Sequence, residues 1–543
     1  MNAAQQRRKG VIMESTAYLQ SAERIEEKPD TEYTKSMRRQ FPLFGIGCLL
    51  YSAFYAFCLY KNTSGITYPF FVAGTLCCFF FFMKKLGLPF KKDSVFYIVG
   101  ITLLGISNCM TNSTQILIMN KCGIFLLFFI LMLHTIYDDR TWNFSIYFVS
   151  LIHTTGSFFC CLASPFSDMV SYFDAKRQEK SAGRNYFLPV LIGLTIAVPL
   201  LFCITLLLAS ADAVFANMLT CLMETLNIWT SMKIFFLMTV VFFSSYAILS
   251  ALCKKEVEGQ AAEKPCFDPV IAIVITSLLC LIYMIFSMVQ ILYLFIGNTK
   301  LPENYTYAGY AREGFFQLLA VSMINFLIVL ICLHLFQESR ILRAILMMIC
   351  GCTFIMILSS ALRMILYIES YSLTFLRLFV LWALAVIFLL MAGVTAYIFY
   401  RQFPLFFYGL TVVTICYTVL SFSHPDYLVA KYNLMKESSD RNDIPVSYAT
   451  GLCDENYLSS LSADAAPAIL NPTVNPYFHA DIEDVEDMLE KTSVDEYGNY
   501  DAEYYYDLYW IKSYYCKIEY RTKSLGIRNF NFSLYRAHKY LID

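Results

Sequence analysis

The sequence predicts an all-α, polytopic membrane protein with about 11–12 transmembrane helices and a small C-terminal helical domain. Composition and a repeated pattern predict this class. Of the 543 residues, 58% are hydrophobic and 15% are charged, whereas soluble domains carry about 25% charged residues. Apolar runs recur between residues 41 and 422. Each is near the roughly 20 residues that a helix needs to cross the hydrocarbon core.

Charge divides the chain into three regions: a basic cytoplasmic leader at 1–40, a transmembrane helical domain at 41–422, and an acidic, tyrosine-rich soluble helical tail at 423–543. The tail holds 20 acidic and 11 basic residues, whereas the remainder holds 22 acidic and 30 basic residues. Such asymmetry is typical of a solvated appendage on a membrane body. The leader lacks the apolar core of a signal peptide, so we expect the first membrane helix to act as the insertion signal.

Twelve apolar segments follow the leader. Their bounds are 42–60, 65–83, 94–110, 118–137, 145–164, 187–209, 230–252, 269–296, 314–336, 341–367, 373–399 and 403–422. The loop after the second segment carries Lys84, Lys85, Lys91 and Lys92. Because Lys and Arg are enriched in cytoplasmic loops, this loop and the basic leader are both predicted to be cytoplasmic.

The later loops create a conflict in the number of crossings. The connection 253–268 holds three lysines and shares a face with Arg340, Arg343 and Arg401, which favours the cytoplasm for that face. The leader and this face can both be cytoplasmic only if an even number of crossings separates them, but seven segments lie between them. We interpret 145–164 as interfacial or re-entrant, which makes the tail extracellular. If 145–164 crosses instead, the tail is cytoplasmic.

The tail is predicted to fold rather than to act as a linker. Segments 424–436, 455–470 with a proline-marked break, 481–491 and 504–520 have helical spacing or composition. Sixteen of the 39 tyrosines lie in the tail. We therefore expect the tail to pack near lipid headgroups or to form an aromatic core. Its two cysteines, Cys453 and Cys516, could form a disulfide if the tail is extracellular.

Signatures of known chemistry are absent from the sequence. The chain has no phosphate-binding loop, no H-E-x-x-H and no G-x-S-x-G motif, and its six histidines have no metal-ligand spacing. Cys350 and Cys352 lie one residue apart on a helix, so their thiols point in different directions and are interpreted as core filler. We predict no catalytic residue, no metal, no cofactor and no nucleic-acid partner.

Three polar clusters interrupt the apolar body, and the first is "LLLASADAVF" at 206–215. Asp212 ends an apolar segment there. One interpretation is that Asp212 caps the helix that follows, by accepting backbone N–H bonds. The other is that it pairs with a buried arginine or binds a cation.

The second cluster is "YTYAGYAREGFFQLL" at 305–319, at the start of a membrane helix. Tyr310, Arg312 and Glu313 are its site candidates. They fit an interfacial belt, with tyrosine at headgroup depth and arginine reaching outward. They equally fit a functional polar site.

The third cluster is "ALRMILYIESYSLTFLRLF" at 361–379, which carries Arg363, Glu369 and Arg377 within an apolar region. The two arginines flank a predicted tight hairpin. Each could reach outward to headgroups. A paired network is favoured, because the two arginines lie at similar depth and the acids Glu313, Glu369 and Asp212 lie on the same face of the membrane. Together with the other clusters, these residues predict an outward-facing vestibule formed by Asp212, Tyr310, Arg312, Glu313, Arg363, Glu369 and Arg377.

Several motifs carry a resemblance to a known family: "SADAVF", "YAREGFFQL", "RMILYIESYSLTFLR", "DYLVAKYNL" and "NYLSSLSADAAPAI". They resemble an uncharacterised bacterial family of polytopic membrane proteins, domain of unknown function 4173, which is related to the family numbered 4153. The resemblance covers about residues 190–470. It implies a bacterial cell membrane and no established activity. Two residues depart from the expected motifs: Ser372 stands where glycine is expected, and Lys431 where arginine is expected.

The predicted function is that of a multi-pass membrane protein that binds or senses an anionic small molecule or lipid headgroup. Fixed arginines recognise phosphate and carboxylate well. The tail is expected to cover the vestibule, and it could also bind a protein partner. Two alternatives stay open: a transporter, and a membrane enzyme acting on a lipid-linked substrate with Asp212 or Glu313 as its carboxylate.

Overall fold

The structure is a computed structural model. It describes residues 31–139, 142–179, 207–225, 227–254, 267–292, 314–441, 455–475, 502–523 and 525–542, with isolated positions between 193 and 205. Among these residues helices predominate, and the β-structure is a single isolated parallel bridge between Phe267 and Phe336. The predicted all-α class is confirmed.

The first half of the chain forms nine described helices. They are α1 (Glu32–Arg39), α2 (Phe41–Leu59), α3 (Thr67–Lys85), α4 (Ser94–Met110), α5 (Thr114–Ile136), α6 (Phe144–Cys160), α7 (Ser164–Glu179), α8 (Ala213–Thr225) and α9 (Ile228–Lys254).

The second half forms five long apolar helices and then the tail. The apolar helices are α10 (Pro269–Gln290), α11 (Phe315–Leu335), α12 (Arg340–Tyr371), α13 (Phe375–Phe399) and α14 (Leu405–Phe422). The tail contributes α15 (Pro425–Arg441), α16 (Glu455–Ser460), a 3-10 turn (Ala463–Ala465), α17 (Ala466–Ile469), α18 (Ala502–Thr522) and α19 (Phe532–Ile542).

Nine helices of the described chain are long and apolar enough to cross a membrane: α2, α3, α5 and α9–α14. Each coincides with one of the twelve predicted segments. Two other predicted segments do not form one long straight helix. α4 is short, with 17 residues, and α6 meets α7 at an angle of 61°. The sixth segment, 187–209, lies mostly outside the described residues. A bend of this size occurs in broken spans and in re-entrant loops, so both predicted counts of crossings stay open.

The chain divides into two compact units. One unit comprises Met1–Ser52, Lys85–Gly87 and Ile152–Glu258. Its described core includes the buried carboxylate of Asp168, which lies 2.8 Å from Arg38 Nε and accepts a hydrogen bond from the Tyr246 hydroxyl at 3.0 Å. Arginine and tyrosine together compensate the cost of burying this acid.

The second unit comprises Ala53–Lys84, Leu88–Leu151 and Gly259–Asp543. α12 lies at its centre. In the most apolar 18 residues of α12, 44% of the residues are buried, compared with 22–39% in the corresponding stretches of the other candidate spans. Its neighbours α10 and α11 turn one side to α12 and leave large aliphatic side chains exposed on the other. This is the pattern of helices that border lipid.

The tail shares its core with α10–α13 rather than forming a separate one. Val429 and Leu434 of α15, Leu458 of α16, and Trp510 and Tyr514 of α18 are buried in the same apolar cluster as the membrane helices. Trp510 and Tyr514 thus lie in a core that is shared with the membrane helices and is not the tail's own. The predicted boundaries at 40/41 and 422/423 stay a prediction.

The tail helices follow the sequence pattern with one difference. α15, α16 and α18 fall within or around the predicted segments, whereas 481–491 lies outside the described residues. The predicted break at Pro467 is wrong. Pro467 lies in the first turn of α17, where a missing N–H costs nothing, and the break falls at Leu461 and Ser462 instead. Cys516 is an exposed free thiol, and Cys453 lies outside the described residues.

Candidate functional site

One face of α12 carries a row of buried polar side chains. Thr353, Ser359, Ser360 and Arg363 are each at most 7% exposed. At 100° per residue the four positions lie within about 120° of the helix circumference, so they belong to one side of the helix. This side packs against α10 and α11. Polar groups inside a membrane protein point inward because lipid cannot satisfy them.

Arg363 is the charged end of this row. Its Nη2 donates a hydrogen bond to Gln290 Oε1 at 3.2 Å. The Ser359 hydroxyl donates to the same oxygen at 2.6 Å. Gln290 is the last residue of α10 and is 4% exposed. One amide oxygen therefore fixes both Arg363 and Ser359, which joins α10 to α12.

The start of α11 lies directly on the guanidinium. A Cβ atom added to Gly314 would be 2.2 Å from Arg363 Nη1, so any larger residue here would displace the guanidinium. The Ser360 hydroxyl donates to the carbonyl oxygen of Phe315 at 3.1 Å. Glycine thus allows the α11 backbone to approach the charge closely, and Arg363 is enclosed by three membrane helices.

The polar row continues toward the middle of the bundle. Asn325 of α11 donates through Nδ2 to Thr353 Oγ1 at 3.0 Å. In the described part of the chain, Asn325 Oδ1 and the hydroxyl of Ser287 are buried without a hydrogen-bond partner. Thr353 precedes Arg363 by ten residues, which corresponds to about 15 Å along a helix. Polar groups therefore extend from Arg363 to the midpoint of α12.

Arg377 has a different role from Arg363. Its Nη1 donates to the carbonyl oxygens of Tyr371, at 2.6 Å, and of Ser372, and its guanidinium lies 4.3 Å from the centroid of the Tyr367 ring. Arg377 therefore caps the C-terminal end of α12, where helix carbonyls have no partner within the helix. The predicted tight hairpin is confirmed, since α13 begins at Phe375.

Glu369 does not join the two arginines. It is exposed, and the described residues contain no ion pair among Arg363, Glu369 and Arg377. Glu369 therefore pairs with neither arginine. The predicted network also included Glu313, which lies outside the described residues, and Asp212. The network as a whole stays a prediction.

The other predicted site residues fall elsewhere. Asp212 belongs to the other unit and is exposed; its Oδ1 accepts a bond from the Val214 N–H at 2.8 Å. That contact supports the interpretation of Asp212 as a helix cap. Tyr310, Arg312 and Glu313 lie outside the described residues. The vestibule of seven residues stays a prediction.

The hairpin after α12 contains a strained serine. Ser372 has φ 70° and ψ 167°, a region that glycine enters freely and other residues enter at a cost of about 1–3 kcal/mol. This explains why glycine is the expected residue of the motif here. We expect Ser372→Gly to raise the melting temperature of the purified protein by a few degrees. Ser372→Ala keeps the strain and serves as the control; an equal gain in the alanine variant would contradict this account.

The tail binds this same hairpin. Asn433 of α15 accepts from the Leu373 N–H at 2.7 Å and donates to the Leu373 carbonyl at 2.9 Å. The Phe375 N–H donates to the Tyr457 hydroxyl at 2.7 Å, and Lys436 Nζ donates to the Glu369 carbonyl. The tail therefore covers the end of the bundle at which Arg363 lies.

The tail also binds two loops from the first part of the chain. Asn531 Nδ2 donates to the carbonyls of Ser64 at 2.9 Å and Thr111 at 3.0 Å. Arg528 Nη2 donates to the Tyr60 carbonyl at 2.7 Å. The loops at 60–66 and 111–113 thus lie on the same face of the unit as the hairpin and the tail.

Two buried carboxylates lie in this contact. Asp464 accepts from the Asn112 N–H at 2.8 Å and from the Thr111 hydroxyl, and its Oδ2 lies 3.6 Å from His424 Nδ1. Burial opposes ionisation of Asp464, but its contacts with His424 and Thr111 prevail and hold its pKa below the usual value. Asp426 differs, because burial and the nearby Asp464 raise its pKa despite hydrogen bonds from Ser462.

Sequence reasoning gave these acids no role. Asp464 lies in "SADAAPAIL", where one acid stands among small apolar residues. An acid in such a run is a signal for a buried, hydrogen-bonded carboxylate. Its main partner, Thr111, is 353 residues away in the chain, so the sequence could not identify it. Lys431, the second departure from the motif, lies with Nζ 5.9 Å from the centroid of the Tyr427 ring.

The buried arginine and the two buried acids lie in a region of the chain that matches a known protein family. The model of the family described as Domain of unknown function (DUF4153) matches residues 98–471. The matched region includes Arg363, Arg377, Asp426 and Asp464. This family is the second of the two that the motifs resemble; the match does not bear on the likeness to the family numbered 4173. No curated protein and no solved structure matches the chain.

Proposed function

Because the chain belongs to the DUF4153 family, whose function is unknown, we propose a function from its own residues. The protein is a multi-pass membrane protein, and we propose that it is non-enzymatic and binds a phosphate or carboxylate group at Arg363. The ligand class is a small anion or a lipid headgroup. The tail, which covers this end of the bundle, reports occupancy, so that the protein acts as a sensor.

One observation carries this proposal: the Arg363 guanidinium is 7% exposed and is fixed by Gln290 between three membrane helices. An arginine at such a position is expensive to bury and is typically functional. Its planar set of N–H donors matches phosphate and carboxylate oxygens. Glu313, Arg312 and Tyr310 precede Gly314 directly in sequence, and we propose them as further members of the site.

The proposal predicts a phosphate-dependent gain in stability. Sodium phosphate is expected to raise the melting temperature of the detergent-purified protein by a few degrees relative to sodium chloride of equal ionic strength, because a ligand that binds only the folded state stabilises it. Arg363→Gln is expected to abolish this gain. Gly314→Ala, which keeps the charge but places a Cβ against Nη1, is expected to weaken it.

Arg377→Gln is the matched control, since it removes the same charge from an arginine that caps a helix end. It is expected to lower the melting temperature without phosphate but to keep the phosphate-dependent gain. A full gain in both Arg363→Gln and Gly314→Ala would refute binding at Arg363.

Transport is a second candidate function, and one observation favours it. The polar row reaches Asn325 and Thr353 at the midpoint of α12, and transporters hold their substrates near the middle of the membrane. An uptake assay with the purified protein reconstituted into liposomes distinguishes transport from sensing. Uptake of labelled phosphate that Arg363→Gln abolishes would indicate transport, whereas a stability gain without uptake supports sensing.

We further propose that the membrane is the bacterial cytoplasmic membrane and that the tail is extracellular. The tail contacts the loops at 60–66 and 111–113. The loop between α3 and α4 lies at the opposite end of these helices and carries Lys91 and Lys92, and Lys91 Nζ donates to the carbonyl of Tyr137 at 2.6 Å. Arg401 lies at the end of α13 opposite the hairpin that the tail contacts. Basic loops favour the cytoplasm, so the tail face is assigned to the outside.

Cysteine labelling tests this orientation. Ile527 is 94% exposed in the tail, and Lys92 is exposed on the opposite face. In a background with both tail cysteines, Cys453 and Cys516, replaced by serine, a membrane-impermeant maleimide is expected to label Ile527→Cys in intact cells and Lys92→Cys only after lysis. The reverse pattern would place the tail in the cytoplasm.

A further inference from the structure

A second charged site lies at the opposite end of α12, where the connection 336–339 joins it to α11. The Phe267 N–H donates to the Leu335 carbonyl at 3.2 Å, and the Gln337 N–H donates to the Phe267 carbonyl at 3.1 Å. The Phe267 and Phe336 rings lie 5.8 Å apart. These contacts fix the short connection in one conformation, so the side chains that it carries are positioned in advance.

Glu338 in this connection holds two arginines. Its Oε2 lies 3.2 Å from Arg343 Nη2, and its Oε1 lies 2.7 Å from Arg401 Nε. Arg401 also lies 5.0 Å from the centroid of the Tyr397 ring. Two guanidinium groups against one carboxylate leave a net positive charge. Each guanidinium has five N–H donors, and Glu338 occupies a minority of them while fixing both groups in place.

The arginines border a small, shallow cavity between α11, α12 and α13. Its mouth is polar, with Gln337 and Ser339, and its wall is aliphatic, with Leu342, Leu346 and Ile398. The positive end of the α12 dipole opens at Ser339, whose side chain does not cap the helix. A small cavity with cationic groups at its mouth and an aliphatic wall suits an amphiphile with an anionic head.

We infer that this cavity binds the phosphate group of an anionic phospholipid, with Arg343 and Arg401 as its ligands. Exposed apolar side chains adjoin the lining residues in sequence: Ile341, beside Leu342, is 62% exposed, and Phe399, beside Ile398, is 67% exposed. Acyl chains of a bound lipid would lie against them. Basic pockets between membrane helices are a general form of lipid headgroup site. Free phosphate offers the same oxygens but leaves the aliphatic wall unused.

This site is independent of the proposed function at Arg363. Arg343 and Arg363 are 20 residues apart on one helix, which corresponds to about 30 Å. The two sites therefore lie at opposite ends of the bundle, and their variants should not affect each other. Arg363→Gln is expected to keep the part of the phospholipid response that Arg343→Gln/Arg401→Gln removes, so that failure of one proposal is distinguishable from failure of the other.

The test measures the melting temperature of the purified protein in neutral detergent with added phosphatidylglycerol, phosphatidylcholine or inorganic phosphate. Phosphatidylglycerol is expected to raise it by several degrees, and phosphatidylcholine is expected to have little effect. The double variant Arg343→Gln/Arg401→Gln should lose most of the gain. Lys92→Gln/Arg340→Gln removes the same charge from exposed residues on the same face, outside the cavity, and should keep it.

Equal losses in both double variants would show a diffuse charge effect and overturn the site, as would a full gain in the Arg343→Gln/Arg401→Gln variant. If either double variant fails to fold, its two single variants are measured instead, and the same comparison of phosphatidylglycerol-dependent gains applies to them. If inorganic phosphate reproduces the gain in an Arg343-dependent manner and phosphatidylglycerol gives none, the lipid assignment is wrong.

Discussion

Asp464→Asn is expected to lower the apparent stability of the folded protein by about 3 kcal/mol. The substitution removes the charge that the Asn112 N–H, the Thr111 hydroxyl and His424 all approach. It also leaves an amide N–H₂ facing these donors in a buried site. The melting temperature of the purified protein measures the loss, and the rate of proteolysis of the tail measures where it occurs.

Asp426→Asn is the matched control, because Asp426 is equally buried and belongs to the same contact. Its pKa is raised by burial and by Asp464, so its ionised form opposes folding at neutral pH. We expect Asp426→Asn to keep or raise the melting temperature. If the two substitutions are equally harmful, the contrast drawn between the two acids is wrong.

The opposite pKa directions predict opposite pH dependence. The pKa of Asp464 is lowered in the folded state, so its contribution is present at neutral pH and is lost as the pH falls through the folded-state pKa. The pKa of Asp426 is raised, so its contribution is present in acid and is lost as the pH rises through the folded-state pKa. As the pH falls from about 8 toward about 4, the benefit of Asp426→Asn should therefore shrink, whereas the penalty of Asp464→Asn should persist and shrink only below about pH 4.

Asn531→Ala is expected to destabilise the protein by about 2–4 kcal/mol and to release the end of the tail. Asn531 is 1% exposed and makes four hydrogen bonds. Two go to the carbonyls of Ser64 and Thr111, and two accept the N–H groups of Ser533 and Leu534 at the start of α19. Alanine leaves all four backbone groups without this partner.

Limited proteolysis should show this release as faster cleavage within 502–542, together with a lower melting temperature. Asn456→Ala provides the control, because Asn456 is an exposed asparagine in a tail helix and its side chain makes no such bridge. Unchanged proteolysis of the Asn531 variant would show that the apolar contacts of α18 and α19 hold the tail without it.

Sequence reasoning succeeded where one long apolar run makes one helix. The segment predicted at 94–110 coincides with α4, and most others differ from the structure by a few residues at each end. It failed where side chains from distant segments combine. Thr353 and Ser359 drew no attention, because serine and threonine in apolar helices often bond only to their own backbone, as Thr353 also does with the Ile349 carbonyl at 2.7 Å.

Charged residues in apolar surroundings were located from sequence, but their pairing was not. The hypothesis grouped Arg363 with Glu369 and Asp212 by their shared face of the membrane, whereas Glu369 is exposed and Asp212 belongs to the other unit. Gln290 binds Arg363 from 73 residues away, and a glutamine at the end of an apolar helix gives no warning of this. The hairpin at Ser372 was predicted, but the reason for glycine there required the backbone angles.

The hydrogen bonds of Asn531 and Arg528 to the loops near Tyr60 and Thr111 have a consequence for biosynthesis. More than 400 residues separate the partners, so the polar groups of the early loops stay uncovered until Arg528 and Asn531 have been translated. A ribosome that stalls before residue 500 would leave a chain whose membrane helices are inserted but whose loops still lack these partners. We expect such chains to be recognised and degraded, so that the contacts of Arg528 and Asn531 distinguish a folded unit from a stalled one.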